Sequence, residues 1–293
     1  MTAPPLPQTL RELSQRWNQV GRPPQRPIPW SRSGWSAALP EQAEFIASLP
    51  NPINRAAVRD LAQSAASSPD AATAAFVAAM VWGYGRVGYG PFRTARVLSA
   101  TPDSGQVLME VAQRADADGG PAAFAWLAQH RLRGLGVAFA TKYLFFCTPP
   151  TGAAPALVLD RLVRDWMARN AGWSLRLDWN VADYASYVGA VVTWATELDL
   201  DAADVELLMF TDMASLDPTS QWSESESFGS PTAPAAAGLG GVMTAEAAGV
   251  LDALNDAADA FAALPGATPA ADADDFEHGL RLLRRIVLAR SPS

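Results

Sequence analysis

Lysine is almost absent from this chain: among 22 basic residues in 293, Lys142 alone is not arginine. Cysteine is as scarce. Cys147 stands by itself, which excludes an internal disulfide and any zinc or iron–sulfur site built on four cysteines. The two histidines, His130 and His278, are too few and too scattered to suggest a metal centre, and no cofactor is expected. The N-terminal Met-Thr-Ala-Pro-Pro-Leu-Pro has no basic region leading into an apolar run, and no stretch is apolar for the length a bilayer demands. These absences lead us to expect a cytoplasmic protein without membrane contact. Alternating, β-branched runs ended by hairpin turns are missing too, which points away from sheet.

What is there reads as helix. With 49% apolar and 18% charged residues the chain can bury a large core. Apolar periodicity, broken by Gly, Pro, Asp and Asn, predicts helices near 40–48, 53–66, 70–83, 92–99, 105–115, 120–131, 137–147, 156–170, 180–198 and 202–212. A short amphipathic segment from Leu10 to Trp17 precedes a Pro/Arg-rich stretch, Gly21 to Trp35, expected to be extended and held on the body by its tryptophans. The expected organisation is an N-terminal lead-in with helices packed on the body (1–70), an all-α domain (71–215), a flexible linker (216–242) and an acidic C-terminal helical pair (243–293).

Net charge is −8, but it is unevenly placed. Residues 1–195 carry 18 Lys+Arg against 13 Asp+Glu, a balance of +5, while residues 196–293 carry 4 against 17, a balance of −13. Between 131 and 176, Arg131, Arg133, Lys142, Arg161, Arg164, Arg169 and Arg176 face only Asp160 and Asp165. Such a concentration suits a face that contacts phosphates, although it also suits an ordinary solvated helix face.

Lys142 lies inside this stretch, in the apolar run Ala138 to Phe146, with Asp160 following it. Arginine keeps its proton in a protein, whereas a desolvated lysine amine can lose one, attack an electrophilic carbon and form a Schiff base. The bland reading is a snorkelling lysine whose stem lies on apolar surface. Trp82, Trp126, Trp166 and Trp194 occur within helical patterns and read first as core; Tyr84 and Tyr89 are expected outside the regular helices. In Asp178-Trp179-Asn180-Val181-Ala182-Asp183-Tyr184 the Asn or an Asp reads first as a helix cap and second as a pocket wall. The glycines at 83, 85, 88 and 90 lack the strand and βαβ context of a dinucleotide site.

Arg133-Gly134-Leu135-Gly136 forms a glycine turn between two predicted helices, the second bearing Lys142, and a Pro/Gly loop leads on to Leu159-Asp160-Arg161. This arrangement resembles the helix-hairpin-helix DNA glycosylase superfamily, and within it bacterial 8-oxoguanine DNA glycosylase-like proteins, over roughly residues 75–210. The blocks that carry the resemblance are Gly136-x-Ala138-Phe139-x-Thr141-Lys142, Leu159-Asp160-Arg161, Trp82-Gly83-Tyr84-Gly85 and Gly90-Pro91-Phe92-Arg93-Thr94.

The resemblance implies base excision. A modified nucleotide would be flipped into a pocket for which Trp82, Tyr84, Tyr89 and Phe92 are candidates. Lys142 would attack C1′ and expel the base, while Asp160 would stabilise the charge developing on the sugar. Arg131, Arg133, Gly134, Gly136, Arg161 and Arg164 would contact DNA, the turn amides at a helix N-terminus holding a phosphate. The superfamily places its Gly-apolar-Gly turn immediately before the lysine, whereas here Gly136 precedes it by six residues. Either the hairpin is reshaped or Lys142 sits a turn deeper in its helix, and an enzyme acting through Asp160 alone, without strand cleavage, is a second form of the same reading. The alternative to a glycosylase or glycosylase/lyase is a non-catalytic helical module that binds DNA or protein. In either case the acidic tail would compete with DNA for the basic face or bind another protein.

Overall fold

The computed structural model describes residues 4–87, 89–149 and 154–216, with isolated positions between 250 and 287. The expected linker beyond Leu216 and most of the expected C-terminal pair lie outside the described residues. Twelve α-helices build the described part: α1 (Gln8–Gln19), α2 (Arg32–Ala38), α3 (Ala43–Ser48), α4 (Arg55–Ala62), α5 (Pro69–Tyr84), α6 (Gly90–Ala100), α7 (Ser104–Asp118), α8 (Gly120–Gln129), α9 (Val137–Cys147), α10 (Arg161–Ala171), α11 (Val181–Leu198) and α12 (Ala202–Leu216). One bridge, Ile28 to Ile53, is the only β pairing among the described residues. The architecture is all-α.

Helix α5 is the axle. Ser68 accepts the Ala71 amide and Pro69 occupies the first helical position, where its missing N–H costs nothing. The alanines that follow, among them Ala72, Ala75, Ala78 and Ala79, are buried and let α4, α6, α7 and α9 approach closely. Gly120 permits another close approach: a Cβ there would stand 2.3 Å from the Ala156 Cα, so α8 starts flush against the chain leading to Asp160.

The N-terminal residues pack on this body. Trp17, Trp30 and Trp35 are buried, the first two donating their indole N–H groups to the Pro23 and Pro50 carbonyls, and Trp194 donates to Pro4. The stretch expected to be extended ends inside α2, whose first four residues are 32–35 and which Ser31 caps by accepting the Gly34 amide. Tyr84 and Tyr89, expected outside the helices, are the last residue of α5 and the N-cap of α6.

The predicted helix 156–170 begins only at Arg161. Residues 156–160 are non-helical, Asp160 being extended, because their backbone groups have side-chain partners instead of helical ones. Tyr184 donates to the Leu157 carbonyl and accepts its amide, Tyr187 donates to the Val158 carbonyl, and Thr141 accepts the Leu159 amide. Leu157, Val158 and Leu159 are all buried. A short apolar run buried on every side shows no period that separates strand from helix.

Candidate active site

The site is assembled by two chain entries into helices. The first is the glycine turn, where Gly134 takes φ +81°, a left-handed conformation that glycine adopts without a Cβ clash. Arg93 of α6 holds this turn by donating from Nη2 and Nε to the Gly134 carbonyl at 2.8 and 3.2 Å. Gly136 then opens α9 without a side-chain cap, and Lys142 stands in the second turn. The lysine therefore lies six positions beyond Gly136, more than one full turn into its helix.

The second entry is the non-helical segment 156–160. Asp160 caps α10, its Oδ1 accepting the Leu162 and Val163 amides at 3.1 and 3.2 Å. That leaves Oδ2, which lies 2.7 Å from Lys142 Nζ. The two side chains are only 8% and 14% exposed, so this is a charge-assisted contact largely removed from water. Burial by itself would raise the Asp160 carboxyl. The Lys142 ammonium, its hydrogen bond, the Val163 amide and the nearby Arg161 outweigh that and hold the group below the usual carboxylate range. Cys147, one turn beyond Lys142, differs: burial pushes its thiol up to about 12, which leaves it protonated and inert.

Gly83 makes room for the pair. A Cβ at this position of α5 would meet Lys142 Cδ at 2.9 Å and Phe139 Cε1 at 3.2 Å, so stem and ring both lie on bare backbone. Phe139 stacks on Tyr84 with ring centroids 4.0 Å apart and 17° between planes, and the Lys142 ammonium lies 5.4 Å from the Phe139 centroid. Trp35 backs Tyr84 at 6.4 Å.

The other expected pocket residues are distributed differently. Trp82 is buried in the core, edge-on to Phe146 at 5.1 Å and with the Arg55 guanidinium 5.3 Å from its ring. Tyr89 is buried and Phe92 half-buried, and their rings pair with each other at 6.2 Å. Tyr84 is the expected pocket residue that stacks on the aromatic ring beside Lys142.

Of the expected DNA contacts, Arg131 and Arg133 are exposed and line a surface depression of about 480 Å³ with Gly134, Gly136 and Trp179. Arg131 lies over the Trp179 ring at 5.7 Å. Arg161 and Arg164, in the first turn of α10, both pair with Asp165, at 3.4 and 2.8 Å. No group of three or more His, Cys, Asp or Glu that could hold a metal occurs among the described residues.

Phe139, Gly83 and Thr141 were not singled out as site residues, although all three stand in the quoted sequence blocks. The available signal was spacing: Phe139 precedes Lys142 by three positions and so shares its helix face. A buried ion pair, Arg55 with Glu206 at 3.0 Å, gave no local signal because its members lie on α4 and α12. Burial raises the Glu206 carboxyl, and Arg55 opposes that rise.

The all-α body carries a buried lysine–aspartate pair behind a glycine turn, a combination that fits the resemblance to helical DNA glycosylases. The comparison with protein families makes this specific: the model described as "Putative 8-oxoguanine DNA glycosylase OGG-like protein" matches residues 21–210, well over half of the chain, and the chain belongs to that family. No curated protein and no solved structure matches it. Membership brings DNA glycosylase function in general terms, and with it DNA as a partner. No described helix is long and apolar enough to cross a membrane.

Proposed function

We propose that this protein removes an oxidised or otherwise modified base from DNA, with Lys142 as nucleophile and Asp160 as its electrostatic partner. The observation that carries the reading is the 2.7 Å contact between a largely buried amine and a carboxylate whose other oxygen is already committed to a helix cap. Lys142 must first give up a proton. The neutral amine then forms a bond to C1′ while the bond from C1′ to the base breaks, the electron pair leaving with the base, which takes up a proton equivalent to the one Lys142 released to solvent. The ionised Asp160 stabilises the positive charge that builds on the sugar. Opening of the sugar ring gives a Schiff base on Nζ, from which elimination of the 3′ phosphate cuts the strand. Arg131, Arg133 and the turn at Gly134 and Gly136 supply a positive surface for the phosphate backbone, with Arg161 and Arg164 nearby in sequence to the catalytic carboxylate. Tyr84, Tyr89 and Phe92 remain proposed for the base pocket, Tyr84 with the best support, while Trp82 packs in the core. The cytoplasm is the proposed place of this work.

The test uses duplexes carrying single lesions. Borohydride should trap the protein covalently on DNA, and Lys142→Arg should abolish trapping. Asp160→Asn keeps the α10 cap, since asparagine caps as well as aspartate, yet removes the charge; excision should fall by roughly 10²-fold with little loss of affinity. An unchanged rate in Asp160→Asn would reduce the residue to a cap.

One observation favours a second reading. Both Asp160 oxygens have protein partners, so the pair is also suited to pinning α9 to α10 in a non-catalytic DNA- or protein-binding module. Base release by the wild type excludes it.

A further inference from the structure

Phe139 precedes Lys142 by three positions on α9, and its environment is asymmetric. One neighbour is Tyr84, stacked at 4.0 Å and nearly parallel; another is the Lys142 ammonium at 5.4 Å from the centroid; Gly83 offers bare backbone at the ring's edge. Phe139 is half-buried, whereas Tyr84 and Trp35 behind it are buried, so it is the outermost ring of a three-membered aromatic series. It projects from α9, the same rigid element that carries Lys142.

A nucleotide poised for attack has its C1′ about 3–3.5 Å from the amine. Its base is bonded directly to that carbon, and stacked aromatic partners sit with centroids about 4.5–7 Å apart. A ring 5.4 Å from Nζ is thus within reach of a base whose C1′ lies at Nζ. Resting on the proposed glycosylase reading, we infer that Phe139 is the surface on which the extruded base stacks, with Tyr84 holding the ring flat. Phe139 then acts as a specificity-determining residue. Stacking needs a planar π face, so the ring selects bases that keep their aromatic plane over lesions whose ring is saturated and puckered. It reads no hydrogen-bonding edge, so it discriminates by flatness and leaves base identity to other groups.

The experiment separates base recognition from the lysine itself. The full chain is incubated with three duplexes: one carrying 8-oxoguanine as a planar lesion, one carrying dihydrouracil as a ring-saturated lesion, and one carrying a natural abasic site, which has no base to stack. Excision is scored as alkali-labile breaks and the nucleophile by borohydride trapping. The wild type should excise the planar lesion in preference to the saturated one. Phe139→Leu should lose about tenfold or more on the planar lesion while trapping on the abasic site stays unchanged, and Phe139→Tyr should restore excision. Phe139→Met, which fills similar space without a ring, gives the same reading if the leucine variant does not fold. Equal losses on planar-lesion and abasic DNA would show that the ring only supports Lys142, and no loss at all would remove it from the base site; either result overturns the inference while leaving the glycosylase reading standing. A wild type that excises without trapping makes Lys142 a non-nucleophile, and the inference is then decided by excision alone. A wild type that neither excises nor traps defeats the functional reading and this inference together.

Discussion

The hydroxyl of Thr141 accepts the amide of Leu159 at 3.0 Å, so the residue before Lys142 holds the residue before Asp160. Through this one bond the α9 register and the entry into α10 are set against each other, and the Lys142–Asp160 contact follows from it. Tyr184 and Tyr187 fasten the preceding residues of the same segment from α11.

Thr141→Val keeps the shape and removes the acceptor, leaving the buried Leu159 amide without its partner. Stability should fall by about 1–3 kcal/mol, read as a lower melting temperature. Excision should fall further than that loss explains, because Asp160 is no longer fixed. Thr141→Ser, which retains the hydroxyl, should recover both.

The charge pair predicts a pH dependence of known sign. The Asp160 carboxyl is held below its ordinary value in the folded chain, so its contribution to stability is full above the unfolded value of about 3.9 and is lost as pH falls through the lower folded value. In Lys142→Gln the ammonium is gone and burial, which raises the group, is left dominant. Stability relative to wild type should drop by roughly 3 kcal/mol near neutral pH, and this deficit should shrink as the pH is lowered toward 3. Chemical denaturation between pH 3 and 7 measures it; a deficit independent of pH would show that packing of the lysine stem, rather than charge, is what the variant loses.

Gly83→Ala separates activity from stability in the opposite way. Alanine improves helix propensity by up to about 1 kcal/mol, but its Cβ would press on Lys142 Cδ and Phe139 Cε1. The lysine stem is flexible enough to move aside, so the melting temperature should change little while trapping and excision fall at least tenfold. Retained activity would mean that the 2.9 Å approach relaxes without disturbing Nζ.

The C-terminal acidic residues give a test of a proposal drawn from sequence alone. Residues 196–293 carry a balance of −13 against +5 for the rest, and we propose that those after Leu216 compete with DNA phosphates for the Arg-rich face. A chain ending at Leu216 should bind duplex more tightly at low ionic strength and show a steeper loss with salt, because competition between charges is screened. Fluorescence anisotropy across salt concentrations reads both slopes. If the truncated chain melts earlier instead, those residues cover apolar surface; if nothing changes, they serve another partner.

Much of this protein was legible in its composition. Helical periodicity and the lack of alternating β-branched runs pointed to an all-α chain, and the near-absence of lysine drew attention to Lys142. Local rules placed α9 at 137–147 and a cap among Asp178, Asn180 and Asp183, which Asn180 supplies, because both depend on neighbours in sequence. Tertiary structure alone decided the non-helical segment 156–160, since Leu157, Val158 and Leu159 find their hydrogen-bond partners on α9 and α11, where no sequence period records them. It likewise decided that Trp82 faces the core while Phe139 stands beside the amine, a difference between two aromatic residues that share the same kind of apolar, helical neighbourhood. Which face of a helix meets which other helix is fixed by how all the apolar stripes are buried together. The sequence names the side chains available for chemistry, and only the packing of α5, α9 and α10 brings Lys142, Asp160 and Phe139 to one place.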